Sequence, residues 1–192
     1  MIRSFSTYLI TCLVLFNRFK SGNSVAIQPV EFRLERVEHI GDGYVDCRLR
    51  VRKFNRTTYT LNGTATLLMD LDDSYEVAVK FAYSSLGNNQ FNEYPMKIPQ
   101  KNVCRYLVEE YAEYQHMWAG NTNLPKIPKG TTKYCPLAKG EYWIKDLAPD
   151  ATSIPPVVPA GLWRMTMEFW KQNSLDFQIL VYCQIQKSLF II

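Results

Sequence analysis

Apolar and polar side chains alternate with a period of two over most of the chain after residue 28. In the stretch YVDCRLRVRKF (44–54), Val45, Cys47, Leu49 and Val51 fall on one face, and the opposite face is mainly charged. This alternation is typical of a strand that is buried on one side. With six similar stretches it predicts seven strands, at residues 29–40, 44–54, 58–71, 74–84, 140–147, 161–170 and 175–187.

Turn sequences separate several of the predicted strands. They include HIGDG (39–43), DLDDS (70–74) and WKQNS (170–174). Short connections of this kind join antiparallel neighbours. The sequence therefore predicts an all-β fold, a two-sheet antiparallel β-sandwich of about seven strands. No linker or internal repeat divides residues 25–192, so we expect them to form a single domain.

One segment, KNVCRYLVEEYAEYQHMW (101–118), departs from the strand period and predicts one inserted helix. Asn102 is suited to cap its start, and Gly120 is suited to end it. Its apolar residues recur every three or four positions, which is the spacing of one helix face. They are Val103, Tyr106, Leu107, Tyr111, Tyr114 and Trp118.

The first 24 residues have the pattern of a cleaved secretory signal. Arg3 precedes an apolar run over residues 8–16, and small residues follow at Gly22 and Ser24. The run has about nine residues, whereas a helix that spans a bilayer needs about 20. We therefore expect residues 1–24 to be a signal peptide and the protein to be secreted and extracellular.

The basic residues Arg18 and Lys20, which follow the apolar run, leave a signal-anchor as the alternative. Cleavage after residue 24 would reduce the 22 basic residues to 19, against 18 acidic ones, so the net charge would fall from +4 to +1. A nearly neutral protein lacks the positive charge that nucleic-acid binding requires. We therefore expect no nucleic acid among its partners.

Four cysteines follow residue 24, and an even number fits an oxidising compartment. Cys47 and Cys183 fall on the apolar phase of their strands, so we expect them to face each other inside the sandwich as one disulfide. Cys104 opens the helix and Cys135 precedes a proline corner, and a second disulfide would fasten these two segments. Four cysteines allow three pairings, and we favour this one.

Two glycosylation sequons lie within eight residues of each other, at Asn55 (NRT) and Asn62 (NGT). The alternation of the strand at 58–71 places Asn62 on its polar side. We therefore expect glycans at both positions, on the outside of one sheet.

Candidate catalytic chemistry is sparse. His39 lies in a turn sequence and His116 lies close to the predicted helix end, and neither belongs to a nucleophile or metal motif. Asp70, Asp72 and Asp73 share a turn but lack the ligand spacing of a calcium loop. We therefore expect no enzyme activity, no catalytic residues, no metal and no cofactor.

Three stretches carry a resemblance to a known family: the segment around Cys104, CPLAKGEYWI (135–144) and IPPVVPAGLWRM (154–165). They resemble a large insect family of small secreted proteins that includes the CheA and CheB chemosensory proteins. That family is in turn distantly similar to the ML lipid-recognition fold, typified by the ganglioside activator protein. The similarity is densest over residues 81–186. Its motif positions are Cys104, Leu107, Cys135, Pro136, Gly140, Tyr142, Pro155 or Pro156, Pro159, Gly161 and Arg164.

The resemblance implies an ML-like sandwich whose sheets separate around an apolar cavity, with a helix or loop as its lid. It implies a monomeric carrier of a small hydrophobic ligand, such as a lipid, a fatty acid or a hydrocarbon pheromone, in insect chemosensory or lipid-recognition processes. A membrane receptor or channel would be a further partner. The alternative is an extracellular protein-interaction module with a packed core and no small-molecule ligand.

The expected ligand-binding residues are the inward-facing apolar residues of the strands together with the helix stripe. They are Leu67, Met69, Val79, Phe81, Tyr106, Leu107, Tyr111, Trp118, Trp143, Trp163, Met165, Met167, Phe169, Phe177 and Ile179.

Overall fold

Nine strands form the β-sandwich in the computed structural model, which describes residues 30–148 and 157–187. The predicted signal peptide at 1–24 and the proline corner at 154–156 lie outside the described residues. The strands are β1 (Val30–Ile40), β2 (Val45–Cys47), β3 (Arg50–Lys53), β4 (Tyr59–Leu67), β5 (Tyr75–Ser84), β6 (Asn92–Asn102), β7 (Gly140–Leu147), β8 (Gly161–Lys171) and β9 (Ser174–Lys187).

The strands form two antiparallel sheets, as the sequence predicts. The large sheet has the order β1-β9-β8-β5-β6. In the small sheet, β4 lies in the middle. It pairs with β2 and β3 along one edge and with β7 along the other. Ala65 of β4, for example, lies between Cys47 of β2 and Tyr142 of β7. The inner face of each sheet is the one directed at the other sheet.

Two differences explain why the structure has nine strands where the sequence predicts seven. The predicted strand at 44–54 is broken after Cys47, where the carbonyl of Arg48 passes close to Gly63, whose φ is +129°. Strand β6 is additional and contains Pro95 and Pro99. Proline cannot donate a ladder hydrogen bond, but an edge strand tolerates it, and β6 pairs with β5 alone.

The buried side chains form two hydrophobic clusters. The second cluster is small, with Val158, Trp163, Cys183 and Ile185 at its centre. The first cluster joins both sheets to the helical segment, and Val77 and Ile127 in it are fully inaccessible to solvent. Its buried members are Val45, Leu71, Tyr75, Val77, Val103, Leu107, Tyr111, Ala112, Ile127, Phe169 and Phe177.

The predicted helix is present but irregular. It comprises α1 (Val103–Tyr106), a π-helical turn (Leu107–Tyr111), α2 (Ala112–Tyr114) and a 3₁₀ turn (Gln115–Met117). Asn102 caps it as predicted, since its Oδ1 accepts the N–H groups of Cys104 at 2.9 Å and Arg105 at 3.2 Å.

Candidate functional site

The inner face of the large sheet holds more than half of the predicted ligand-binding residues. Residues two apart along β8 face the interior, and the register places Phe169 opposite Phe177 and Trp163 opposite Cys183. Strand β5 continues the same rows, with Val77 opposite Phe169. The predicted residues on this face are Val79, Phe81, Trp163, Met165, Met167, Phe169, Phe177 and Ile179.

One row across this inner face is only partly buried. It consists of Val37, Val181, Met165 and Phe81, which lie opposite one another on four neighbouring strands. The second cluster lies on one side of the row and the first cluster lies on the other. Apolar residues in the middle of a sandwich are normally inaccessible to solvent. We call Val37, Val181, Met165 and Phe81 the accessible row.

His39 also lies on the inner face, one row from the accessible row. It is opposite Ile179 in the sheet, and its ring centroid is 6.5 Å from that of Phe177. Its Nε2 atom is buried and has no hydrogen-bond partner in the described residues. The turn sequence HIGDG predicts a turn at His39, although His39 continues the alternation of Val37 and so shares its inward face.

The helical segment closes one end of the sandwich and packs into the first cluster. Leu107 and Tyr111 are buried, and Tyr106 and Trp118 pack against the same cluster with Leu67 and Met69. The hydroxyl of Tyr111 donates a 2.8 Å hydrogen bond to the carbonyl of Pro125. These six predicted residues therefore belong to the closed end of the interior, and not to a separable lid.

The loop after the helix is fastened to β7. Asn121 Nδ2 donates to the carbonyl of Lys145 at 2.9 Å, and Thr122 Oγ1 donates to that of Trp143 at 2.7 Å. Gln115 in turn accepts the N–H of Ile127 at 2.9 Å and donates to its carbonyl. This polar pairing is not apparent from a sequence rich in glycine, proline and asparagine.

Trp143 does not belong to the predicted lining. Consecutive strand residues point to opposite faces, and its neighbours Tyr142 and Ile144 are the less exposed ones. Trp143 lies opposite Thr64 on the outer face of the small sheet and is 42% exposed. The interpretation of Trp143 as a cavity residue is therefore wrong.

The cysteines confirm one predicted disulfide and contradict the other. Cys104 and Cys135 are bonded, with their Cα atoms 5.2 Å apart. Cys47 and Cys183 are free. Both face inward as predicted, but Cys47 packs against the first cluster and Cys183 belongs to the second. The predicted Cys47–Cys183 bond is wrong because the strand phase fixes the face of a residue and not its position along the sandwich.

Ionisable groups surround the start of the helix. Lys101 forms ion pairs with Glu109 at 2.9 Å and with Glu110, and hydrogen bonds to Glu110 and Glu109 raise the pKa of Lys101. Burial, followed by the nearby Glu110 carboxylate, raises the pKa of Tyr106 to about 12. Lys101 lies on β6 and both carboxylates lie on the helical segment, so these ion pairs anchor β6 to the helix.

The predicted sequon asparagines occupy different environments. Asn55 is exposed, and its Oδ1 accepts the N–H of Thr58 at 2.8 Å. Asn62 lies on the outer face of β4 but is partly buried, because its Nδ2 donates to Thr60 Oγ1 at 2.8 Å and its Oδ1 accepts the N–H of Asp146 at 2.9 Å.

Comparison with known proteins gives one family match. Residues 77–165, less than half of the chain, match a family described as "Protein of unknown function (DUF1091)". No curated protein matches the chain significantly. The matched region runs from β5 into β8, and the all-β fold is compatible with an ML-like domain. Among the described residues, no helix is long and apolar enough to cross a membrane.

Proposed function

We propose that this protein is a secreted carrier of a small hydrophobic ligand, which it holds between the two sheets. The observation that carries the proposal is the accessible row, since Val37, Val181, Met165 and Phe81 lie in the middle of an inner face but remain only partly buried. An alkyl chain that lies along this row would bury its own apolar surface and that of the four side chains.

The side chains around the row suit a flexible apolar ligand. Met165 and Met167 lie on neighbouring rows, and methionine adapts to irregular shapes because it is unbranched and polarisable. Burial of a ligand contributes about 0.8 kcal/mol for each methylene, before the costs of binding. The free energy of binding would therefore grow with chain length.

His39 supplies a polar partner for the ligand's head group. Its buried Nε2 has no hydrogen-bond partner in the part of the chain that the structure describes, and an unpaired buried polar atom destabilises a protein. A hydroxyl, carbonyl or carboxyl group at one end of the ligand would satisfy it. The ligand class that fits best is therefore a long apolar chain with a single polar end, such as a fatty acid, an alcohol or an ester.

The chemosensory setting belongs to the same proposal. The resemblance to the insect CheA and CheB proteins supports a pheromone with such a polar end as the ligand, and a membrane receptor or channel as the recipient. Export from the cell is supported by the N-terminal sequence and by the Cys104–Cys135 disulfide.

The test is native purification of the full chain from insect cells, followed by solvent extraction and mass spectrometry. We expect extractable apolar molecules in the unaltered protein and a loss of at least about tenfold in Val181→Phe, which fills the accessible row. Thr64→Phe, on the outer face of the small sheet, is the matched control and should retain the ligand. Thermal unfolding of each variant separates lost binding from lost folding.

The competing function is a protein-interaction module with a packed core. The observation that favours it is the closed end of the sandwich, where Val77 and Ile127 are fully inaccessible. A protein that yields no apolar molecule, and whose Val181→Phe variant unfolds because there is no space to fill, would support this alternative.

A further inference from the structure

The large sheet carries a groove of about 420 Å³, lined mainly by residues of its outer face, with Phe81 of the accessible row also in the lining. Its floor comes from β1, β5, β8 and β9, and its wall comes from Phe91, between β5 and β6, and from Glu93 of β6. The volume lies within the usual range of small-molecule sites, about 300–1,000 Å³. The residues that matter for its chemistry are Ile40, Ala82, Phe91, Leu180, Arg164 and Glu93.

Arg164 provides an uncommitted cation in this groove. Its guanidinium lies 4.7 Å from the centre of the Phe91 ring, and its Nε is buried without a hydrogen-bond partner in the described residues. No carboxylate there forms an ion pair with Arg164. By contrast, Arg36 on the same face binds Glu38 at 2.7 Å.

The other charged groups of the groove limit what Arg164 can bind. Lys80 is already paired with Glu168 at 2.9 Å. Glu93 is exposed at the rim, and one small residue, Ala82, separates its position from Arg164 across the sheet. Glu38, on β1, accepts hydrogen bonds from Arg36 and Tyr182. The bond from Arg36, and to a smaller extent the charge of Arg164, lower the pKa of Glu38. Among the described residues that line the groove, Arg164 is the one cation without an ion pair, and carboxylates lie nearby, so the groove suits a single negative charge and disfavours a dianion.

The remaining lining is mixed, since Thr166 and Gln178 are polar and the other residues are apolar. Leu180 is buried beside Arg164, Phe91 stacks on the guanidinium, and Ile40 is 53% exposed at the open end. Guanidinium and carboxylate match in geometry and can form two parallel hydrogen bonds. We infer that this groove is a second binding site, for a small monocarboxylate whose apolar body packs on Phe91, Leu180 and Ile40. Its charged centre, Arg164, lies on the opposite face of β8 from Met165 of the proposed carrier site.

The probes for the test are phenylacetate, its uncharged isostere phenylacetamide and the dianion phenyl phosphate. Binding to the full chain is measured by titration, with amide NMR shifts to locate the site. We expect phenylacetate to shift Ala82, Arg164 and Leu180, and to bind at least about tenfold more tightly than either of the other probes. Equal binding of phenylacetamide, tighter binding of phenyl phosphate, or shifts confined to the accessible row would overturn the inference.

Substitutions that change affinity in opposite directions distinguish an effect on binding from a loss of folding stability. Arg164→Gln should weaken phenylacetate at least about tenfold, and Arg164→Lys, which keeps the charge, should weaken it less. Glu93→Gln should strengthen it severalfold, which a purely structural role for these residues does not predict. Arg50→Gln, on the small sheet, is the control and should stay within about twofold. Unchanged affinity in both Arg164→Gln and Glu93→Gln would overturn the site.

Discussion

Cys47 and Cys183 both face the space between the sheets, yet they lie in different hydrophobic clusters and both are free thiols. Their separation shows that the two ends of the sandwich are distinct. One end is sealed by the helical segment, and the other is centred on Trp163. The accessible row lies between these two ends.

The first prediction concerns the disulfides. Non-reducing peptide mapping should recover Cys104 bonded to Cys135, and Cys47 and Cys183 as free thiols. Cys183→Ser should lower the free energy of unfolding by about 1 kcal/mol. The loss of a native disulfide would cost about 2–5 kcal/mol. A Cys47–Cys183 peptide in the map would contradict the structure.

The second prediction concerns alkaline pH. Burial, with a smaller contribution from Glu35, raises the pKa of the Cys183 thiol to about 12. In the unfolded chain this thiol ionises near its ordinary value of about 8.5. Between about pH 8.5 and about pH 12 the Cys183 thiol stays protonated in the folded protein but ionises in the unfolded chain. This difference opposes folding increasingly as the pH rises, so the thiol's contribution to stability is complete below about pH 8.5 and is lost as the pH approaches 12.

Chemical denaturation from pH 8 to 11 measures this effect, and Cys183→Ala is the matched variant because it removes the thiol. The unaltered protein should lose more stability over this range than Cys183→Ala does. Tyr106, whose pKa is also raised to about 12, adds to the loss above pH 10 in both proteins. Identical pH profiles would contradict the prediction.

The sequence predicted the sandwich because alternation is a local property. Seven segments have the period of two, and the structure contains strands in all seven. It did not predict β6, because Pro95 and Pro99 argue against a strand unless its edge position is known. The break between β2 and β3 also depends on a tertiary contact, between Arg48 and Gly63.

The candidate site was predicted less completely. The alternation along β5, β8 and β9 predicted correctly which residues face inward, including Met165 and Phe81 of the accessible row. It could not show that the accessible row divides two clusters, since this depends on how far the small sheet extends over the large one. The groove at Arg164 was not predicted, because it forms on a face that alternation alone assigns to solvent.

The third prediction concerns glycans on protein secreted from insect cells. Asn55 is exposed at the β3–β4 turn, so we expect it to be modified. Asn62 should show lower occupancy, because a glycan on Nδ2 would compete with its hydrogen bond to Thr60. Site-resolved mass spectrometry after enzymatic deglycosylation measures both occupancies. Full occupancy at Asn62 with none at Asn55 would contradict this order.

The fourth prediction concerns Gly63 in β4. Its φ of +129° and the nearby Arg48 carbonyl leave no room for a Cβ atom. Gly63→Ala should lower the free energy of unfolding by about 2 kcal/mol or more. Gly120→Ala is the control, because no atom lies within 4 Å of a Cβ built there, and it should change stability by less than about 0.5 kcal/mol. Equal effects in thermal unfolding would contradict this prediction.

The fifth prediction concerns the helical segment, and it distinguishes the observed irregular helix from the regular helix that the sequence predicts. Both Leu107 and Tyr114 belong to the sequence-predicted apolar stripe. The π-helical turn adds an extra residue between them, so Leu107 is 3% exposed while Tyr114 is 51% exposed. Leu107→Ala should therefore lower the free energy of unfolding by about 2–5 kcal/mol, whereas Tyr114→Ala should change it by less than about 0.5 kcal/mol.

Urea unfolding measures both values under the same conditions. Comparable losses in Leu107→Ala and Tyr114→Ala would show that the stripe is continuous and that the π-helical turn is absent in solution. A selective loss of ligand from Leu107→Ala, at unchanged stability, would instead restore the helix as a lid over the interior. Because Leu107 packs with Val103 and Ile127 in the first cluster, we expect binding and stability to fall together in this variant.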